Sequence, residues 1–150
     1  MKLLKILSLV AACSAAPAYA QSQFDELDVE DLSPTKVEIL DSATGGCWTN
    51  AGEAKSYAED QLRLAGVEIA QGGERTNSLF VIQVQGERVP AGFCVGAINL
   101  GFLVPVEFLD KEVLATLLDR IGYFLNRGNA NYLTLDMIRN FLTDAPFESR

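Results

Sequence analysis

The spacing of hydrophobic residues in the first half of the chain predicts a strand followed by a helix. Between Lys36 and Leu40, charged and apolar side chains alternate, which is typical of a short strand with one buried face. From Ala51 to Ala65, apolar residues recur every three or four positions, as they do on one face of an amphipathic helix. Asn50 and Glu53 stand at capping-box spacing at its start, and Gly66 provides a C-cap at its end.

Three further segments have the character of strands. Val67 to Ile69 alternates briefly, and Ser78 to Gln85 is rich in apolar residues on both faces, as in a central strand. Ala91 to Val106 carries no charged residue and contains three glycines. We expect it to be a long bent strand with Pro105 near its end or on an edge. A membrane-active segment is the alternative, although the segment is short for a span.

The C-terminal third has helical spacing. Asp110 can cap a helix that ends at Gly128, and Thr134 precedes a shorter helical pattern that stops before Pro146. The expected apolar stripe of the first of these helices consists of Val113, Leu114, Leu117, Leu118, Ile121, Phe124 and Leu125.

The order of these elements is β-α-β-β-β-α-α, which predicts the α+β class. We expect a two-layer sandwich of about four mostly antiparallel strands, with the helices packed on one face and one parallel pairing made by a crossover. Residues 35–145 form a single domain on this reading, since the chain has 150 residues and neither a repeat nor a composition break divides it.

The first twenty residues predict export. Two lysines precede an apolar run, and Ala18-Tyr19-Ala20 provides the small residues that a signal peptidase recognises, so cleavage is expected between Ala20 and Gln21. We expect residues 1–20 to be a signal peptide and the mature protein to be periplasmic or secreted. No transmembrane span is expected, because no apolar stretch is long enough to cross a bilayer.

A lipid anchor is the alternative for the same segment. Val10-Ala11-Ala12-Cys13 resembles the lipobox of bacterial lipoproteins, in which the cysteine is lipidated and becomes the N-terminus. In that case the protein would be membrane-anchored through Cys13, with the same fold.

The charge balance narrows the choice of partners. The chain carries 12 basic and 20 acidic residues, a formal net charge of −8, and the signal removes two of the basic ones. Nucleic acid and anionic lipid surfaces select for clustered Lys and Arg, so neither is an expected partner. Acidic residues are crowded within residues 21–34, which predicts an acidic flexible arm.

Two cysteines remain after the signal. Cys47 and Cys94 form an even pair in an oxidising compartment, which favours one disulfide between them; two free thiols are the alternative. Neither cysteine belongs to a Cys-x-x-Cys pair, so a redox enzyme of thioredoxin type is not indicated.

Histidine is absent from the whole chain. Histidine-based nucleophilic machinery and histidine metal sites are therefore excluded, and we expect no cofactor, no metal site and no catalytic residue. Gly45-Gly46-Cys47-Trp48 superficially resembles the segment around a papain-type nucleophile, but it has no histidine to activate the thiol. We expect instead a glycine turn, a bridged cysteine and a packed tryptophan.

The function that these features favour is that of a binding or assembly module of the bacterial envelope, with an envelope or secreted protein as partner. Two alternatives stay open. The first is a secreted inhibitor or effector that presents a loop such as Gly72 to Asn77 or Gly86 to Pro90. The second is a hydrolase that uses two carboxylates without histidine.

Overall fold

The computed structural model describes residues 27–145 and 147–148. Within them, four long strands and two long helices form the body of the domain, with three short elements at its ends. The elements are β1 (Leu27–Asp28), α1 (Val29–Leu32), β2 (Thr35–Ala43), α2 (Ala51–Leu64), β3 (Ser78–Arg88), β4 (Cys94–Phe108), β5 (Lys111–Asn126), α3 (Asn131–Asp144) and β6 (Phe147–Glu148).

The predicted α+β class and the four-stranded sheet are confirmed. The main sheet has the order β2-β3-β4-β5, with β2 parallel to β3 and the two following pairs antiparallel. Helix α2 connects the two parallel strands, as the expected crossover requires. The two long helices contact each other and pack against β2 and β4, so they cover one face of the sheet.

The core lies between that face and the helices. Alternate residues of β3 (Phe80, Ile82 and Val84) are fully buried, as the period of a strand requires. A group of aromatic rings joins the layers: the ring centroids of Phe80 and Phe102 lie 4.9 Å apart, and that of Phe141 on α3 lies 5.7 Å from Phe80. Burial of these large side chains is the main source of the domain's stability.

One predicted element is wrong. The segment that begins at Asp110, expected to be a helix with an apolar stripe, is strand β5. It follows β4 through a tight turn at Leu109 and Asp110, both with positive φ (50° and 59°), and pairs with β4 along its whole length. Apolar residues lie on both faces of this strand, so the two-residue period of a strand is not visible in the sequence. The positions of these residues happen to fit helical spacing as well.

The short strand expected at Val67 to Ile69 is reduced to a single bridge between Thr35 and Ile69. The parallel partner of β2 is instead β3. The long strand expected from Ala91 to Val106 is confirmed as β4. Its register with β5 shifts between Phe102 and Leu103, where Leu117 of β5 is the extra residue. Pairing with β3 ends at Leu103, so Pro105 stands where β4 has lost its neighbour on that side.

The predicted helix at residues 51–65 is confirmed as α2, and Gly66 ends it with a φ of 89°. Asn50 does not cap the helix as expected. Its side-chain amide donates to the Glu53 carboxylate, and its side chain makes no hydrogen bond to the backbone amides of the first turn. Helix α3 begins at Asn131, three residues before the expected cap Thr134. The hydroxyl of Thr134 donates to the carbonyl oxygen of Ala130 inside the helix.

The last part of the expected flexible arm is packed against the domain. Asp28 accepts a hydrogen bond from the Glu30 amide at the start of α1, and Val29 and Leu32 of α1 are buried in the core. These two apolar residues explain the difference, since they stand among the acids and anchor the segment. The rest of the arm, the cleavage position at Ala20 and Gln21, and Cys13 lie outside the described residues. None of the helices within residues 27–145 is long and apolar enough to cross a membrane.

Candidate functional site

A disulfide closes one end of the sheet. Cys47 and Cys94 are bonded and fully buried, with Cα atoms 5.5 Å apart, so the predicted bridge is confirmed. It joins the loop after β2 to the first residue of β4. On the chain-entropy model a loop of this length stabilises the fold by about 4 kcal/mol.

Arg88 holds the loops around the bridge. Its guanidinium donates to the carbonyl oxygens of Gly45 (2.8 Å), Gly92 (3.0 Å) and Gly128 (3.1 Å). The amide of Ala130 donates to the carbonyl oxygen of Cys47 at 2.7 Å. These bonds fix the end of the sheet opposite the β4–β5 turn.

The second face of the main sheet is left uncovered by α2 and α3. We call it the open face, and strand alternation places the odd-numbered residues of β3 and β4 on it. Side chains of all four strands contribute, and many of them are apolar. They include Leu40 on β2, Leu79 and Val81 on β3, Leu103 on β4, and Leu114 on β5.

A concavity of about 460 Å³ lies in the middle of the open face. It exists because Gly101 provides no side chain between Asn99 and Leu103 on the same strand. A Cβ atom at Gly101 would lie 3.2 Å from the Leu118 carbonyl oxygen and 3.4 Å from the Asp119 Cβ. The volume falls within the range of small-molecule or side-chain pockets.

The rim of the concavity is polar and acidic. Glu38 on β2 forms an ion pair with Lys36, whereas no hydrogen bond or ion pair from the described residues reaches the exposed Asp119 on β5. Asn99 has a buried side-chain oxygen that lacks a hydrogen-bond partner within the same described part. The open face therefore offers an apolar floor, an unpaired carboxylate and an unused acceptor.

Beyond the concavity the β4–β5 hairpin projects past the end of β3. We call the projecting part, residues 104–115, the hairpin tip. Phe108 and Leu109 at its end are 63% and 79% exposed. Glu107 and Glu112 are directly opposed across the two strands, and like charges in this arrangement repel each other. The tip therefore resembles the open face, because both carry exposed apolar side chains next to carboxylates without an ion-pair partner in the described residues.

A larger cavity lies elsewhere in the described residues. It has a volume of about 730 Å³ and is a shallow depression between the end of α2 and residues 66–75. Charged residues of both signs line it: Arg63, Glu68, Glu74 and Arg75. Because these charges do not converge on one ligand chemistry, we regard the open face as the better candidate site.

Other polar side chains near the ends of the strands have structural roles. The Asp41 carboxylate accepts a hydrogen bond from the Ala43 amide at 2.9 Å, and Trp48 is buried beside the bridge, as predicted. Arg120 pairs with Asp144, and Arg127 stacks on Phe93. No group of three metal-binding side chains occurs within residues 27–145.

Sequence reasoning missed the open face because it assigned β5 to a helix. As a strand, the segment brings Leu114, Thr116 and Asp119 beside Gly101 and Leu103. One feature of the sequence could have corrected this assignment. The uncharged, glycine-containing stretch of β4 indicates a strand that is paired on both sides, and β4 therefore needs a second neighbour besides β3.

Comparison with known proteins gives distant structural likenesses. No protein-family model matches the chain, and no curated protein is similar to it in sequence. Among solved structures, the PelC L103M dodecamer from Paraburkholderia phytofirmans is 11% identical with a TM-score of 0.49, covering 79% of this chain and 89% of that one. The PelC dodecamer from the same organism is 13% identical with a TM-score of 0.47, covering 79% and 90%.

A minor lipoprotein from Acinetobacter baumannii is 10% identical with a TM-score of 0.31, covering 77% of this chain and 92% of that one. At these identities and TM-scores the likenesses assign neither a family nor a function. What the described residues establish is a small α+β domain that is closed by one disulfide and leaves one face of its sheet uncovered.

Proposed function

We propose that this protein is an exported binding or assembly module of the bacterial envelope, and that its open face docks a partner protein. The observation that carries the proposal is the uncovered, largely apolar face of the four-stranded sheet with its central concavity. The module acts by binding and carries out no reaction of its own.

An antiparallel sheet that faces water usually presents polar side chains on that side. Here Leu40 and Leu114 on the open face are 49% and 54% exposed, and they stand around the apolar floor of the concavity. Continuous apolar patches of this kind on a small domain mark surfaces that another molecule covers.

Charge complementarity defines the chemistry of the partner. The open face and the hairpin tip carry six carboxylates and two lysines, and one of the lysines, Lys36, is already paired with Glu38. The carboxylates are those of Glu38, Glu87, Glu107, Asp110, Glu112 and Asp119. The whole chain has a net charge of −8. We therefore infer a partner segment that combines apolar side chains with Lys or Arg.

The bridge and the N-terminal sequence support a location outside the cytoplasm. A buried disulfide fits an oxidising compartment outside the cytoplasm. Together with the signal pattern of residues 1–20, it supports a periplasmic or secreted protein; anchoring through Cys13 remains the alternative. In either location the open face would be available to envelope proteins.

The proposal is tested by titrating the isotopically labelled mature protein with a peptide of alternating Leu and Lys while amide chemical shifts are followed. We expect shifts that cluster on the open-face strands, and binding weakened about fivefold in Asp119→Asn, since one charged contact contributes about 1 kcal/mol. The matched control is Asp60→Asn, the same charge change on α2, where the carboxylate pairs only with Arg63.

A peptide of alternating Leu and Glu serves as the charge-reversed probe and is expected not to bind. Shifts centred on α2 and α3, or equal weakening by Asp60→Asn and Asp119→Asn, would show that the peptide responds only to the net charge of the protein. Either result would reject the open face as the docking surface.

A further inference from the structure

Strand β5 has an unpaired outer edge. It stands last in the order β2-β3-β4-β5, and no backbone hydrogen bond from another part of residues 27–145 reaches that edge. The opposite edge is different, because at β2 the amide of Thr35 donates to Glu68 and its carbonyl accepts from Ala70. The sheet therefore has one partly covered edge and one free edge of 16 residues.

The part of the free edge after Arg120 lacks the features by which proteins prevent strand addition. From Ile121 to Leu125 the strand has no proline, no charged residue and no register shift. Ile121, Tyr123 and Leu125 project on the open-face side and are 53%, 83% and 70% exposed. An exposed apolar edge of this kind serves as a template for another strand.

We propose that β5 pairs with β5 of a second copy of this chain, antiparallel and about a two-fold axis at Tyr123. The two four-stranded sheets then form one continuous sheet of eight strands. The proposal goes beyond the docking function and does not rest on it, because it concerns the edge of the sheet; Asp119, which also lines the concavity, is common to both.

The register follows from matching the side chains of the two copies. With Tyr123 opposite itself, Ile121 faces Leu125 of the second copy, and the reciprocal pair repeats this contact. Asp119 then lies opposite Arg127, the residue just after the end of β5. The guanidinium of Arg127 lies over the Phe93 ring at 5.2 Å, and it has no carboxylate partner within the described residues.

Neighbouring registers match less well. An axis at Asp119 or at Arg120 places two like charges directly opposite each other, which is unfavourable. An axis at Ile121 or at Gly122 sets Asp119 against Tyr123 or Leu125. Among axes between Asp119 and Phe124, only Tyr123 combines an apolar centre with oppositely charged ends.

Net repulsion between two acidic copies does not prevent this contact. Charges farther apart than about 8 Å are largely screened at physiological ionic strength, whereas the strand contacts act at close range. Apolar burial at the three exposed side chains and the two Asp119–Arg127 pairs then favour association.

Cysteine crosslinking tests the register in the intact mature protein. Directly opposed residues of antiparallel strands have Cβ atoms about 4.5–5.5 Å apart, close to disulfide geometry. We expect Tyr123→Cys to give mostly disulfide-linked dimer under mild oxidation. Ile121→Cys and Leu125→Cys alone should stay unlinked, and an equimolar mixture of these two should form the mixed dimer. The native cysteines are bonded to each other and fully buried, so a crosslinked dimer reports on the introduced cysteine.

Sedimentation velocity tests association without a crosslink. Tyr123→Lys places two positive charges opposite each other and should turn a dimer into a monomer. Tyr132→Lys is the matched control, since Tyr132 on α3 is 77% exposed, and it should leave the dimer intact. A wild-type protein that sediments as a monomer at about 100 μM would place the Kd of the dimer above that concentration and would overturn the proposal. Equal crosslinking by all three single cysteine variants would also overturn it.

Discussion

At the scale of single residues, glycines on the strands decide which surfaces can approach each other. Gly86 and Gly96 are paired across β3 and β4, and the ring of Phe124 from β5 packs over both. A Cβ atom at Gly96 would lie 2.7 Å from the Phe124 ring and would collide with the Gln85 carbonyl oxygen. The two glycines form a slot that accommodates the Phe124 ring, so that β5 can pack against the core near the disulfide.

Substitution at this slot is expected to destabilise the fold. Gly96→Ala should lower the free energy of unfolding by about 3 kcal/mol, because the backbone contact cannot relax as a side-chain tip could. Gly73→Ala is the control, since nothing lies within 4 Å of a Cβ atom there. Urea unfolding of both variants measures the difference, and equal stabilities would show that the slot is not close-packed.

The turn of the hairpin tip contains a residue that does not suit its backbone. Leu109 has a φ of 50°, a region that leucine disfavours and that asparagine tolerates. We expect Leu109→Asn to stabilise the tip by about 1 kcal/mol, which slows hydrogen exchange of the tip amides about fivefold. An unchanged or faster exchange rate would contradict this account of the turn.

At the scale of elements, the disulfide was predictable and strand β5 was not. An even pair of cysteines in an exported chain implies a bridge whatever the fold, so Cys47 and Cys94 could be paired from the sequence alone. The helical spacing of β5 was misleading because tertiary contacts outweigh local periodicity. Arg120 on the core-facing side extends over the Phe141 ring and pairs with Asp144, so a charged residue stands where alternation would require an apolar one.

Loss of the bridge is expected to destabilise the whole domain. Reduction of the wild-type protein should lower the free energy of unfolding by about 4 kcal/mol, as the chain-entropy estimate gives for a loop of this length. The double variant Cys47→Ala with Cys94→Ala should not respond to reductant at all. A loss below about 1 kcal/mol in the wild type would show that the Arg88 hydrogen bonds alone hold this end of the sheet.

At the scale of the whole molecule, the fold class could be predicted and the functional surface could not. A strand, a crossover helix and two long apolar strands were enough for an α+β sandwich with one parallel pair, although β5 took the place of the strand expected at Val67 to Ile69. The open face depends on Leu114, Thr116 and Asp119 of β5 lying beside Gly101, a juxtaposition that appears only once β5 is a strand. The domain thus buries one face of its sheet in its own core and leaves the other for contact with a partner.

The central claim is that the open face contacts a partner in the envelope, and site-specific photo-crosslinking in intact cells tests it most directly. The crosslinker benzoylphenylalanine replaces Leu40 on the rim of the concavity or, as control, Leu64 on α2; these residues are 49% and 81% exposed. We predict one discrete adduct with a second protein from position 40 that weakens when Asp119→Asn is added, and none from position 64. The same adducts from both positions, or no adduct from position 40, would contradict the account.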